Sequence, residues 1–191
     1  GIRSIMRQDP DIILVGEVRD KETAEMAFRA AMTGHQVFTT LHTNSALGAF
    51  PRLYDIGIQP DIMAGNIIAV IAQRLVRTLC PQCKQPYKPS REERMLLGEY
   101  ADQASMLHRA AGCKHCDNKG YKGRTPVMEL LVMDGDMDEL VARRSTAKEL
   151  RTAAMAKGFR PLAEAGLQRV LDGVTTLAEL ARAVDLTGRY G

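Results

Sequence analysis

Two groups of residues have types and spacings that could do chemistry. The first is Cys80, Cys83, Cys113 and Cys116, the chain's four cysteines, arranged as two Cys-x-x-Cys pairs. Cysteines separated by two residues on a tight turn present both sulfurs to one side, and two such knuckles supply the four soft ligands that tetrahedral zinc takes. A thioredoxin-like redox motif comes singly and beside a βαβ pattern, so the doubled pair favours Zn²⁺ over a redox centre. Four thiolates close the coordination shell and leave no position for water, which makes the expected role structural. The second group is Glu17, preceded by Gly16, together with His35 and His42, which bracket an apolar run. An acidic residue at the end of a buried strand can hold Mg²⁺ or polarise an attacking water, and a glycine beside it lets other backbone approach closely. A solvated glutamate paired with Arg19 and two ordinary surface or core histidines are the plainer alternatives.

These residues need elements to position them. Asp11–Val15 is a β-branched run opened by Asp9-Pro10 and closed by Gly16, which predicts a strand buried on both faces of a parallel sheet. Ala24, Ala27, Phe28 and Ala31 recur at helical spacing and Gly34 is the expected C-terminal cap. Gln36–Leu41 is a second β-rich run, so residues 11–41 form one βαβ unit and the class is α/β. Glu17 and His42 then share the carboxyl edge of the sheet, where open α/β folds bind ligands, and His35 takes the opposite end. Seven strand positions span ~23 Å at most, so the two histidines are not expected to share one metal.

Asn44, Pro51 and Gly57 frame a further helix. Residues 61–77 are apolar nearly all round, which predicts a core helix whose last turn carries Arg74 and Arg77 against the dipole. From Cys80 to Arg124, prolines, glycines and the two knuckles surround a polar helical insert at about Ser90–Arg109, the pattern of a satellite module. Residues 134–191 are expected to be helical, with a capping box at Thr176-x-x-Glu179 and helix-ending glycines at Gly158 and Gly173.

The 191 residues suit roughly one domain with a small satellite. A composition 45% hydrophobic and 26% charged excludes collagen-like and disordered chains, and a net charge of +3 does not by itself imply a nucleic-acid or lipid partner. The longest nearly apolar stretch, Ile62–Ala72, falls short of the ~20 residues of a membrane span. Residue 1 is glycine, Ile2–Arg7 is already amphipathic, and no secretory signal is present, so the chain is expected to be a fragment that opens inside an element.

Arg7-Gln8-Asp9-Pro10-Asp11-Ile12-Ile13-Leu14-Val15-Gly16-Glu17-Val18-Arg19-Asp20 resembles the Walker B box of the secretion-superfamily ATPases that drive type II secretion and type IV pilus assembly. Thr33–Thr43 is similar to their histidine box. Gln73-Arg74-Leu75-Val76-Arg77, the cysteine module, Gly120–Arg124 and Glu129-Leu130 continue the likeness in the same order. Pilus-retraction relatives lack the four-cysteine insert, which directs the resemblance to the secretion and pilus-extension branch.

The resemblance implies a partial RecA-like P-loop ATPase core with an inserted four-cysteine zinc module and a C-terminal helical region. The expected segments are 1–78 for the distal half of the core, 79–126 for the zinc module and 127–191 for the helices. It implies Glu17 as catalytic base, His42 facing the γ-phosphate, and Arg19, Asp20 and His35 as supporting residues, while the basic last turn of the expected helix offers Arg74 or Arg77 as a phosphate contact, Arg74 being taken as the nucleotide-binding candidate. It further implies ATP and Mg²⁺ as ligands of the full-length parent, a homo-hexamer, and attachment to the inner membrane from the cytoplasm through secretion or pilus platform proteins. No Gly-x-x-x-x-Gly-Lys-Ser/Thr loop occurs in the chain, so the phosphate cradle is missing and the piece alone is expected to be inactive. The competing reading is a zinc-ribbon module for nucleic acid or a protein partner. Against nucleic acid, the cysteine segment lacks a dense basic and aromatic surface.

Overall fold

The computed structural model describes residues 10–186, so the Ile2–Arg7 stretch and the first three residues of the Walker B-like segment lie outside the described residues. The described chain forms two compact units that interleave along the sequence, residues 10–72 with 130–159 and residues 73–129 with 160–186.

The first unit is built on β1 (Ile12–Val15) and β2 (Gln36–Thr39), a parallel pair in the register Ile12 with Gln36 and Val15 with Thr39. Helix α1 (Lys21–Met32) joins them, as a parallel connection requires. Asp20 caps α1 by accepting the Thr23 amide at 2.8 Å, and Gly34 turns the chain out of it at φ +96°. The expected burial of both faces of β1 is not met. Ile13 and Val15 are buried with Ala24, Ala27 and Ala30 of α1, but Ile12 is 62% exposed, Leu14 74% and, beside it on β2, Phe38 51%. The βαβ connection covers one face only, and among the described residues nothing covers the other. Helices α2 (Ala49–Ile56), α3 (Pro60–Met63), α5 (Gly135–Ala142) and α6 (Ala147–Ala156) complete this core around Phe50, Met63, Met137 and Leu150.

The predicted core helix over 61–77 is corrected. Only Pro60–Met63 is helical, and β3 (Ala69–Leu79) follows. β-branched residues such as Ile67, Val70, Ile71 and Val76 lose rotamer freedom in a helix and pack well on a pleated surface, and Gly65 (φ +75°) breaks the helix before it can extend. An apolar run does not by its periodicity separate a buried helix from a strand, and here the alternation of buried Ala72 and Val76 with exposed Ile71 and Leu75 belongs to a strand. Arg74 and Arg77 therefore sit on a strand and complement no helix dipole. β3 pairs with β6 (Tyr121–Val132), and both strands contribute to each unit.

In the second unit the insert expected to be helical over 90–109 is mixed. Helix α4 (Arg91–Leu97) opens on a capping box between Ser90 and Glu93, a 3₁₀ turn spans Gly98–Asp102, and β5 (Leu107–Arg109) pairs antiparallel with β4 (Gln85–Tyr87). Helices α7 (Leu162–Leu171) and α8 (Leu177–Ala183) close the unit. Leu97, Ala104 and Leu107 of the insert share one core with Leu167, Val170, Leu177 and Leu180, so the insert and the last two helices form a single packed body. Among the described residues no helix is long and apolar enough to cross a membrane.

Candidate functional site

Glu17 leaves β1 two residues past its last strand position, and its backbone is clamped on both sides by Thr40. The Thr40 hydroxyl donates to the Gly16 carbonyl at 2.7 Å, and the Val18 amide donates to the Thr40 carbonyl at 3.0 Å. These ties extend the strand pairing past β1 and aim Glu17 at the segment after β2. His42 Nε2 lies 2.5 Å from Glu17 Oε1, and Arg19 Nη2 lies 2.5 Å from Oε2. The carboxylate is shielded, with 20% of its side chain exposed against 82% for His42, and Oε1 is cut off from solvent with an imidazole approach that falls outside hydrogen-bond geometry. The Arg19 hydrogen bond holds the Glu17 carboxyl below its ordinary range, outweighing the opposing effect of burial, with His42 adding to the lowering. The result is an ionised carboxylate at the strand edge with Arg19 on one oxygen and the imidazole of His42 beside the other.

The four cysteine sulfurs lie within 4.8 Å of one another. Cys80 and Cys113 Sγ are 3.9 Å apart, Cys83 and Cys116 3.8 Å, and Cys113 and Cys116 3.8 Å. Metal–sulfur bonds of about 2.3 Å at tetrahedral angles require edges of about 3.8 Å, so the cluster fits a four-thiolate metal ion. Backbone amides face the sulfurs: Gly112 donates to Cys83 at 3.3 Å, and Cys113 and Gly120 donate to Cys116 at 3.3 and 3.2 Å. Burial pushes the Cys83 thiol up to about 11. Burial is also the largest influence on Cys116, but its amide donors outweigh it and bring that thiol down to about 7. Gly120 (φ +74°) has no room for a side chain, because a Cβ there would meet that of Ala110 at 2.5 Å. Its carbonyl accepts the Cys80 amide at 3.0 Å, which joins the two knuckles.

Residues 1–182 match the Type II/IV secretion system protein family. The chain belongs to this family. It is 48% identical over 182 residues to the type II secretion system protein E of Pseudomonas aeruginosa, with 95% of this chain and 36% of that protein covered. It is 43% identical over 189 residues to the type IV pilus assembly ATPase TfpB of Acinetobacter baylyi, covering 98% of this chain and 32% of that one. The chain thus spans about a third of the length of these relatives. Among solved structures, the ATPase DotB of Legionella pneumophila superposes with a TM-score of 0.62 at 22% identity over 95% of this chain and 40% of its own. The DotB of Yersinia pseudotuberculosis gives 0.65 at 20%, over 95% and 38%. The α/β class and the P-loop secretion-ATPase fold expected from sequence are those of the molecule.

Within this secretion-family frame the expected residues separate. Glu17, Arg19 and His42 converge. His35 stands at the other end of β2, where its Nδ1 lies 3.1 Å from both the Ala30 carbonyl and the Thr33 hydroxyl at the close of α1. Asp20 is occupied as the α1 cap, and its two bonds from Thr23 lower its pKa. Arg74 lies on β3 in the second unit, where its Nη1 donates to the Gln73 carbonyl at 3.1 Å. Sequence reasoning missed Thr40 as the residue that orients Glu17. Its only signal was its place two residues before His42.

Proposed function

We propose that this chain is the distal part of the motor domain of a hexameric ATPase that powers type II protein secretion or type IV pilus assembly. In this reading residues 1–78 carry the nucleotide chemistry, 79–126 a structural Zn²⁺ held by Cys80, Cys83, Cys113 and Cys116, and 127–191 the helical region. The observation that carries it is the convergence of Glu17, Arg19 and His42 at one edge of the β1–β2 pair in a chain of this family. Glu17 is the base that accepts the proton of the attacking water. Arg19 keeps it ionised at rest, His42 faces the γ-phosphate, Arg74 contacts the nucleotide, and Asp20 and His35 hold the flanking helix ends. Mg²⁺ in the parent neutralises phosphate charge. The open face of Ile12, Leu14 and Phe38 supports the same reading, because parallel sheets are normally covered on both sides and the relatives carry far more chain. The parent works in the cytoplasm, at the inner membrane through platform proteins, and binds no nucleic acid.

The test is Glu17→Gln in the full-length parent. Turnover should fall by roughly 10²-fold or more with ATP affinity retained, since the base is lost and little binding surface with it. Unchanged turnover would overturn the assignment. The 191-residue chain alone should not hydrolyse ATP.

A further inference from the structure

In the Glu17–Arg19 pair the glutamate is the shielded partner and the arginine the open one, with 20% of the Glu17 side chain exposed against 75% of Arg19. Glu17 Oε1 is cut off from solvent and faces the His42 imidazole at 2.5 Å. Oε2 is therefore the oxygen left to meet a water, and Arg19 Nη2 lies on it at 2.5 Å. A carboxylate oxygen held by a guanidinium is a weak proton acceptor, because the nearby positive charge favours the ionised form. The Arg19 bond accordingly holds this carboxyl below its ordinary range, so the base gains proton affinity once the arginine leaves.

The backbone on either side of Arg19 is pinned. Val18 is buried and its amide donates to the Thr40 carbonyl at 3.0 Å, while Asp20 caps α1 by accepting the Thr23 amide and hydroxyl at 2.8 and 3.1 Å. Rotation of the exposed Arg19 side chain uncovers Oε2 and leaves both the strand edge and the helix cap intact. A guanidinium that leaves a carboxylate needs another anion, and its planar fork matches the oxygens of a phosphoryl group. The carboxyl edge where it stands is where open α/β folds bind their ligands.

We propose that Arg19 gates the base: it exchanges Glu17 for the terminal phosphate of a bound nucleoside triphosphate, so that Oε2 opens only when the group to be cleaved is in place. The proposal rests on the reading of Glu17 as the base. A nucleoside diphosphate lacks the phosphate that draws Arg19 away, and with it Glu17 stays covered.

A double-mutant cycle on the full-length parent tests this, reading affinity for the imido analogue of ATP and for ADP, each with Mg²⁺, together with ATP turnover. Arg19→Gln should weaken analogue binding by about tenfold and ADP binding little, with Arg19→Lys recovering part of the loss. Glu17→Gln releases Arg19 to the phosphate and should tighten the analogue by roughly threefold, a gain that shrinks when Arg19→Gln is added. A pair that never parts gives the opposite sign, because Arg19 then screens Glu17 from the phosphate and removing the carboxylate helps more in the Arg19→Gln background. An equal or larger gain in that background, or equal losses of analogue and ADP in Arg19→Gln, would overturn the gate while lost turnover in Glu17→Gln keeps the base. Turnover retained in Glu17→Gln would overturn the base, and the gate with it.

Discussion

At the residue scale, the chemistry depends on which atoms occupy the two oxygens of one carboxylate. Glu17 has Arg19 on one oxygen and His42 on the other, whereas His35, the same residue type in the same motif, closes a helix. In the full-length parent His42→Ala should therefore impair ATP turnover with little change in ADP affinity, since ADP lacks the γ-phosphate. His35→Ala should instead lower the thermal midpoint. Measuring turnover, ADP affinity and midpoint for both variants separates the roles, and equal losses of ADP and ATP binding in His42→Ala would make that histidine structural. Thr40 provides a second test. Thr40→Val removes the bond to the Gly16 carbonyl and should reduce turnover by about tenfold, with Thr40→Ser restoring it, because a small misplacement of a base is costly. The shared edge of Glu17 and His42 was legible from strand ends, and their roles came only from the family resemblance. The Thr40 clamp was not legible, because a hydroxyl that reaches across to another strand leaves no periodic mark.

At the element scale, capping decides where helices begin, and one cap comes from distant chain while an expected one is only half made. Helix α7 starts after Pro161, whose ring carries no hydrogen-bond acceptor, and Glu129 of β6 fills the gap by accepting the Leu162 amide at 2.6 Å. A buried carboxylate against a helix N-terminus meets both an orphan amide and the positive end of the dipole. Glu129→Ala should cost about 1–3 kcal/mol in urea unfolding, with Glu129→Gln retaining part of that, and no change in the midpoint would show the contact to be idle. The capping box expected at Thr176–Glu179 is half made. The Thr176 hydroxyl accepts the Glu179 amide at 3.0 Å, but the Glu179 carboxylate turns away to Arg77 and Arg182. Local spacing proposes a cap, and Arg182 one turn along the same helix, with Arg77 brought in by the fold, competes for the same group and wins.

At the scale of the whole molecule, Glu179 is where distant chain is joined. Its fully buried carboxylate accepts the Arg77 amide at 3.0 Å, the Arg77 guanidinium at 2.6 and 2.9 Å and Arg182 at 2.8 and 3.2 Å, while Arg77 also lies over the Tyr121 ring at 4.2 Å. The Arg182 bonds, with those of Arg77, overcome burial and bring Glu179 down to about 2. A carboxyl depressed in the folded state adds stability above its unfolded pKa of 4.5 and loses that contribution as pH falls toward about 2. Stability measured from pH 5 to 2 should therefore decline less in Glu179→Gln than in the wild type, although the variant starts lower by about 2–4 kcal/mol because two arginines lose their partner. Equal acid slopes would remove Glu179 from the account. The sequence by itself determined the α/β class, the βαβ unit, the knuckle spacing and the edge shared by Glu17 and His42, since each depends on contacts within a short stretch or on a period of two or 3.6 residues. Only the tertiary structure decided that residues 69–79 are a strand, that one face of β1 stays open, and that the cysteine insert and the last two helices form one body. Those outcomes depend on which distant surface meets an apolar run, and burial against a partner far along the chain outweighs the local preference of any segment.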